Sequence, residues 1–163
     1  MRASAPLDEF DHRLLELLQR DAATTLATLG DAVGLSASAV QRRLTRYRSS
    51  GLLRQVAVLD PARLAGTTLA TVLVAMERES AKRHAAFCAR MRAAPEVQQC
   101  YVLAGDWDYL VILATSGVAH CREVAERLFS DEGGVKRYET RLVFDVVKQG
   151  LTLPTRVPTR RKR

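Results

Sequence analysis

Apolar residues recur at helical spacing through the first third of the chain. Phe10, Leu14, Leu17 and Leu18 make one stripe over a segment that Asp8 can cap and that runs to about Arg20; Asp11 falls in its first turn, where a negative charge suits the helix dipole. Leu26, Leu29 and Val33 make a second, shorter stripe over Thr25 to Val33, with Gly30 inside it. A third helix is expected between Ser36, a good N-cap, and Gly51, a good stop, with Val40, Leu44 and Tyr47 at i, i+4, i+7 on its buried side. The opposite side carries Ser38, Arg42, Thr45, Arg46 and Ser49. Two short helices joined by a tight turn, the second basic and outward-facing, make a helix-turn-helix, braced by the helix before it. Leu52 to Leu59 (LLRQVAVL) reads as extended, either a wing or a strand leading out of this unit.

After Asp60-Pro61 the rhythm changes. Thr67 to Met76, Val97 to Ala104, Trp107 to Thr115 and Val135 to Lys148 read as strands, the last with room for a bulge. Ser80 caps a helix that Pro95 ends, with His84, Phe87, Cys88 and Met91 on one face. A second helix, Gly117 to Ser130, turns Cys121, Val124, Ala125 and Leu128 inward before the Gly133-Gly134 break. Gly105-Asp106 turns a hairpin. The order βαββαβ is the ferredoxin-like arrangement, so the fold class is α+β. The strands are apolar on both sides: Leu110, Ile112 and Ala114 alternate with Tyr109, Val111 and Leu113, and Leu142, Phe144 and Val146 with Val143 and Val147. Two helices cover one sheet face; a second copy, sheet against sheet, is the economical cover for the other. The expected domains are 1–59 for DNA binding, 60–66 as connector, 67–150 as the αβ unit and 151–163 as a basic tail.

Charge sharpens this picture. Of the formal net charge of +7, residues 154–163 contribute Arg156, Arg160, Arg161, Lys162 and Arg163 with no acid. The third helix and its exit hold Arg42, Arg43, Arg46, Arg48 and Arg54, again with no acid between Ser36 and Arg54. Basic clusters favour polyanions, and arginine forks onto guanine edges or phosphates while serine and threonine take either. The candidate DNA-contacting residues are Ser36, Ser38, Gln41, Arg42, Arg43, Thr45 and Arg46. The three cysteines, Cys88, Cys100 and Cys121, form no CxxC pair, which points away from a disulfide scaffold or zinc site and toward a reducing cytoplasm. No secretion signal and no long apolar span is visible. His12, His84 and His120 are scattered, no glycine-rich phosphate loop occurs and no catalytic set can be argued, so no catalytic residue, metal or cofactor is expected.

Three stretches together, LDEFDHRLLELLQRDA, VGLSASAVQRRLTRYRSSGLL and VAVLDPARLAG, resemble the N-terminal half of the leucine-responsive/asparagine (Lrp/AsnC) family of bacterial transcription regulators. PEVQQCYVLAGDWDYLVIL resembles the family's strand-hairpin segment and LVFDVVKQG its last strand, so the likeness spans residues 7–150. It implies a winged helix-turn-helix, a hinge and a ferredoxin-like ligand-sensing domain that dimerises and often assembles into octamers. It also implies an effector, an amino acid or related metabolite, held near Gly105, Asp106, Trp107, Asp108 and Tyr109, with Thr140 on the far wall. The chemistry suits that role: amides of a glycine turn can hold a carboxylate, and Asp108 can accept from an α-ammonium. Ala104 and the Thr140-Arg141 pair depart from the family's usual residues, and the RRKR ending is outside its pattern.

The function expected is that of a cytoplasmic, sequence-specific, effector-responsive regulator working on double-stranded DNA as a homodimer or larger assembly, without a membrane partner. Two alternatives stand beside it: a ligand-sensing or architectural protein that binds DNA with little sequence preference, and an enzyme resembling the siroheme decarboxylases, which would draw on His84 and His120.

Overall fold

The computed structural model describes residues 6–77, 80–130 and 134–156. Residues 1–5, Gly133 and the charges at Arg160, Arg161, Lys162 and Arg163, all used above, lie outside them. The chain divides into two compact units, one gathering Met1–Val58 with Gln149–Arg163, the other Leu59–Lys148.

The first unit is built on three helices, α1 (Glu9–Arg20), α2 (Leu26–Val33) and α3 (Ala37–Ser49). Each begins where a side chain can satisfy a first-turn amide. Asp8 and Asp11 form a reciprocal capping box, the Asp11 amide donating to Asp8 at 2.8 Å and the Asp8 amide to Asp11 at 3.1 Å. Thr25 accepts from the Thr28 amide at 3.2 Å, and Ser36 from the Ala39 amide at 3.3 Å. α2 runs through Gly30 and ends at Gly34, whose φ of 75° closes the helix. A Cβ on Gly30 would press into the Leu35 carbonyl oxygen, so this glycine marks where the α2–α3 turn folds back onto its own helix. The core joins Leu14, Leu15 and Leu18 to Leu29, Val33, Val40, Leu44 and Tyr47. The stripe expected on α1 is rotated: Leu15 and Asp11 are buried, whereas Phe10 is exposed.

Residues 53–60 form no helix or strand, so the expected wing is not a paired hairpin. Val56, Val58 and Leu59 are exposed, with no ladder partner among the described residues.

The second unit is a four-stranded antiparallel sheet of order β2-β3-β1-β4, with β1 (Thr68–Met76), β2 (Val97–Val102), β3 (Tyr109–Thr115) and β4 (Val135–Leu142). Two helices, α4 (Ala81–Ala93) and α5 (Val118–Phe129), pack on one face. That face buries Ala70, Val72 and Val74 of β1 and Tyr109, Val111 and Leu113 of β3 against Phe87, Met91, Cys121, Val124, Leu128 and Phe129. By strand alternation the opposite face carries Leu69, Thr71 and Leu73 beside Leu110, Ile112 and Ala114, all half-buried, with Arg137, Glu139 and Arg141 along the β4 edge.

Two local expectations change. Ser80 precedes α4 but makes no side-chain cap bond. The last strand stops at Leu142 instead of Lys148: Leu142 pairs with Ala70, the Val143 amide donates to Leu69, and β1 begins at Thr68, so no strand remains for Phe144 to Lys148 to pair with. Phe144 and Val147 are accordingly exposed. The irregularity anticipated in this strand lies at its start, where the register shifts opposite Ala75 and Met76.

Candidate DNA interface and effector cleft

Asp11 explains how α3 is held. It is 1% exposed, on the apolar side of α1, and no bury-all-hydrophobics rule would place a carboxylate there. Three α3 side chains compensate it. The Arg46 Nη2 donates to both carboxylate oxygens at 2.7 Å, and the Arg43 Nη1 and the Tyr47 hydroxyl donate to Oδ1. Arg43 also reaches Asp8 at 3.0 Å and lies over the Phe10 ring. Burial alone would lift the Asp11 carboxyl, but the Tyr47 hydroxyl, the Asp8 amide and Arg43 outweigh it and hold the group at about 2. Burial, and then the bond to this carboxylate, push the Tyr47 phenol up to about 12, which keeps it a donor.

The seven candidate DNA residues therefore divide. Arg43 is mostly buried and Arg46 half-exposed, and both are committed to Asp11. Ser36 is the N-cap and meets the Ser38 hydroxyl at 3.1 Å; Gln41 meets Thr45 at 3.4 Å. Ser36, Ser38, Gln41, Arg42 and Thr45 are exposed, and among the described residues Arg42 has no protein partner. Periodicity places Arg46 on the outer face; only the packing of α1 shows where its guanidinium goes. The signal for Asp11 was in the sequence, an acid in phase with Leu14, Leu15 and Leu18.

In the second unit the hairpin residues also divide. Gly105, with φ 137°, and Asp106 are exposed in the turn. Trp107 is half-buried with the Arg137 guanidinium 4.4 Å from its ring centroid. Asp108 faces the protein: its carboxylate accepts from the Met76 amide at 2.6 Å, while its own amide donates to Val74 at 2.9 Å. It thus ties the β2–β3 turn to the end of β1. Tyr109 is buried, stacked on Phe87 at 4.2 Å between centroids, with its hydroxyl 2.6 Å from His84 Nδ1. Burial pushes this phenol up as well. Thr140 is exposed on β4 opposite Val72 and does not line the cleft that Asp108 and Tyr109 line.

That cleft, of about 260 Å3, is completed by Ser80, just before α4, and by Arg83 and His84 of α4. It is smaller than the roughly 300–1,000 Å3 of drug-sized sites and on the scale of a small metabolite. It offers a cation, an imidazole and one hydroxyl from the α4 side and a committed carboxylate from the other. The α4 contribution escaped sequence reading, because a helix stripe does not show which residues look past the sheet edge. His120, the other histidine of this unit, sits 2.8 Å from the Ser116 hydroxyl and 3.7 Å from Glu96. Cys88, Cys100 and Cys121 are free thiols. No helix among the described residues is long and apolar enough to cross a membrane.

Comparison with known proteins agrees with both units. Residues 7–48 match the AsnC-type helix-turn-helix domain, and residues 69–153 the Lrp/AsnC ligand binding domain. The chain is 32% identical to the uncharacterized HTH-type transcriptional regulator y4tD of Sinorhizobium fredii, over 93% of this chain and 90% of that one. It is 30% identical to the DNA-binding transcriptional activator DecR of Escherichia coli, over 91% and 98%. Among solved structures, a transcriptional regulator from Neisseria meningitidis in complex with L-methionine superposes with a TM-score of 0.79 at 28% identity, over 91% and 96% of the two chains. The helix-turn-helix match covers α1, α2 and most of α3, the ligand binding match covers the sheet and both helices of the second unit, and the chain belongs to the Lrp/AsnC family of DNA-binding transcription regulators.

Proposed function

We propose that this chain reads a specific duplex sequence in the major groove through Ser38, Gln41, Arg42 and Thr45, and that an amino acid or close relative bound in the second unit modulates the reading. The observation that carries it is the division of labour on α3. Asp11 takes up Arg43 and Arg46, which fixes the helix against α1 and leaves Arg42 as an exposed guanidinium without a partner among the described residues. A fixed helix with one unengaged fork between short polar side chains suits base-edge recognition better than a loose field of positive charge. Ser36, Arg43 and Arg46 then act by capping and orienting α3.

The half-buried apolar strip of Leu69, Leu73, Leu110 and Ile112 supports a homodimer formed sheet against sheet, and two copies of α3 would meet a two-fold site. Assembly of such dimers up to an octamer and a cytoplasmic location belong to the same reading, as does a regulatory second unit without a reaction of its own. The effector's carboxylate is met by Arg83 and the turn amides at Gly105 and Asp106; its polar head meets Ser80 and His84. Asp108 and Tyr109 shape the cleft, while Thr140, opposite Val72 on β4, stands away from it and has no part in this reading.

The test is the Arg42→Ala variant on a duplex selected by the wild-type protein from a random library, beside a mixed-sequence duplex. A base-reading arginine is worth about 1–3 kcal/mol, so affinity for the selected duplex should fall roughly 5- to 150-fold with little change on the mixed one. Equal losses on both would make Arg42 a phosphate contact and sink the base-reading role.

A further inference from the structure

His84, Cys88 and Arg92 recur at every fourth residue of α4 and so share one stripe of the helix. That stripe meets the edge strand β2. Tyr109, whose hydroxyl is 2.6 Å from His84 Nδ1, pairs with Val102; Cys100 lies two residues before Val102, and Cys88 about one turn after His84. Four helical residues advance about 6 Å and two strand residues about 6.6 Å. The strand runs back along the helix, so this register carries Cys88 toward Cys100. Cys100 faces α4 because its partner Val111 is buried on the helix-covered side. Both thiols line a cavity of about 410 Å3 with His84, Arg92 and Gln98, and its described walls carry no carboxylate. Cys88 is half-buried, with its sulfur 3.6 Å from His84 Nε2.

The imidazole stands between two groups that carry protons. Burial pushes the Tyr109 phenol up, so it stays neutral. When Nε2 takes the Cys88 proton, Nδ1–H donates to the Tyr109 oxygen and the imidazolium faces the thiolate. Arg92, one turn further along α4, adds a second cation. Nucleophilic thiols sit in partly exposed, electropositive surroundings of this kind. The other two cysteines differ. Cys121 is 2% exposed, and burial, followed by the neighbouring Cys88, pushes the Cys100 thiol up. His84 also bounds the cleft that Arg83 and Asp108 line, so a group attached to Cys88 meets the imidazole that forms the wall of that cleft.

We propose that Cys88 is a thiolation site, at which the protein exchanges with the disulfide of a small carboxylate-bearing thiol. His84 takes the Cys88 proton, and the thiolate attacks one sulfur of R–S–S–R. The new S–S bond forms as the old one breaks. The leaving RS− takes the proton from His84, so the products are one mixed disulfide on Cys88 and one RSH, and no other oxidant enters. Arg92 meets the carboxylate of the half that stays in the cavity. The site goes beyond the reading of DNA by α3 and does not depend on it.

The experiment exposes the full-length protein to oxidised glutathione, to the neutral 2-hydroxyethyl disulfide and to the cationic cystamine. Peptide mass spectrometry reads the mixed disulfide at each cysteine over time. Cys88 should react roughly tenfold or more faster than Cys100, and Cys121 should stay free. Cys88 should also react faster in the folded protein than in urea, the reverse of what half-burial alone gives. His84→Gln should slow Cys88 roughly tenfold or more. Arg92→Gln, at an exposed position, should lower the preference for oxidised glutathione over cystamine roughly threefold to fivefold. Trp107 fluorescence in urea reports whether each variant keeps its fold; should His84→Gln lose it, the comparison of folded with unfolded wild type decides alone. Equal rates at Cys88 and Cys100, a Cys88 no faster folded than unfolded, or a wild-type rate in a folded His84→Gln overturns the proposal. An unchanged preference in Arg92→Gln overturns the choice of an acidic partner.

Discussion

Asp11→Ala is the perturbation that most directly tests how α3 is held. The variant removes a carboxylate that is 1% exposed and takes four hydrogen bonds from α3, two of them at 2.7 Å from Arg46. It leaves a buried Tyr47 hydroxyl without its acceptor, at about 1–3 kcal/mol. It also removes the Asp11 half of the capping box. Breaking a buried ion pair from one side costs about 3–5 kcal/mol. The lower end applies here, because Arg43 keeps Asp8 and the Arg46 side chain is 50% exposed, so water can replace part of what it loses. A loss of about 3 kcal/mol is expected, enough to lower the midpoint of a small unit by roughly 12 °C or more. The single tryptophan, Trp107, belongs to the second unit, so its fluorescence follows that unit while far-UV circular dichroism follows the helices of both units. The early loss of helical signal should move and the fluorescence transition should not. Replacing the cluster as a whole, by Asp11→Leu, Arg43→Met and Tyr47→Phe, should recover most of the loss, since no buried charge is then left unpaired. A shift below about 1 kcal/mol for Asp11→Ala, or an equal shift of both transitions, would refute the account of α3 as a helix pinned by one buried carboxylate.

The same group gives the first unit an acid limit. Its folded value of about 2 lies below the ordinary 3.8, so the unfolded chain binds the extra proton; the stabilisation is complete above about 4 and disappears as the pH falls toward 2. Roughly 2 kcal/mol should vanish in that window in urea titrations of the wild type and be missing from the titration of Asp11→Asn. Gly30→Ala should destabilise the first unit by about 1–3 kcal/mol, although alanine is better than glycine by about 1 kcal/mol in a helix interior, because the new methyl meets the Leu35 carbonyl; a gain in midpoint would show that the α2–α3 turn can yield. Asp108→Ala should cost the second unit about 1.5–3 kcal/mol by stranding the Met76 amide, and Asp108→Asn less than half of that; Trp107 fluorescence in urea reports both, and an unchanged Asp108→Ala midpoint would rule out the tie between turn and β1.

Both folds could be read from the order of residues because their signals are local. Capping residues lie within three positions of the amides they satisfy, as with Asp8, Thr25 and Ser36, and a helical or alternating stripe is written in its own segment. Val40, Leu44 and Tyr47 were legible as one buried face, and so were the βαββαβ order and the GDWDY turn. Gly30 looked like a weak point in α2 and proves to be the place where a turn folds back on its helix, because what it avoids lies five residues away across a reversal of the chain.

The sequence by itself determined the order of the helices and of the sheet's strands, that α3 is basic, and which family the chain resembles. Tertiary structure alone decided which arginines of α3 are taken up by a carboxylate. Arg42, Arg43 and Arg46 look alike on a helical wheel, and a guanidinium on a long flexible stem can reach several partners. Only the approach of α1 brings in the Asp11 carboxylate that claims two of the three. The same holds for Asp108 and Tyr109, turned to Met76, Phe87 and His84 by elements far away in the chain, and for Gln19, whose partner Leu153 lies 134 residues on. A charge cluster can be counted along a sequence; where each charge is spent depends on contacts that form only when distant segments meet.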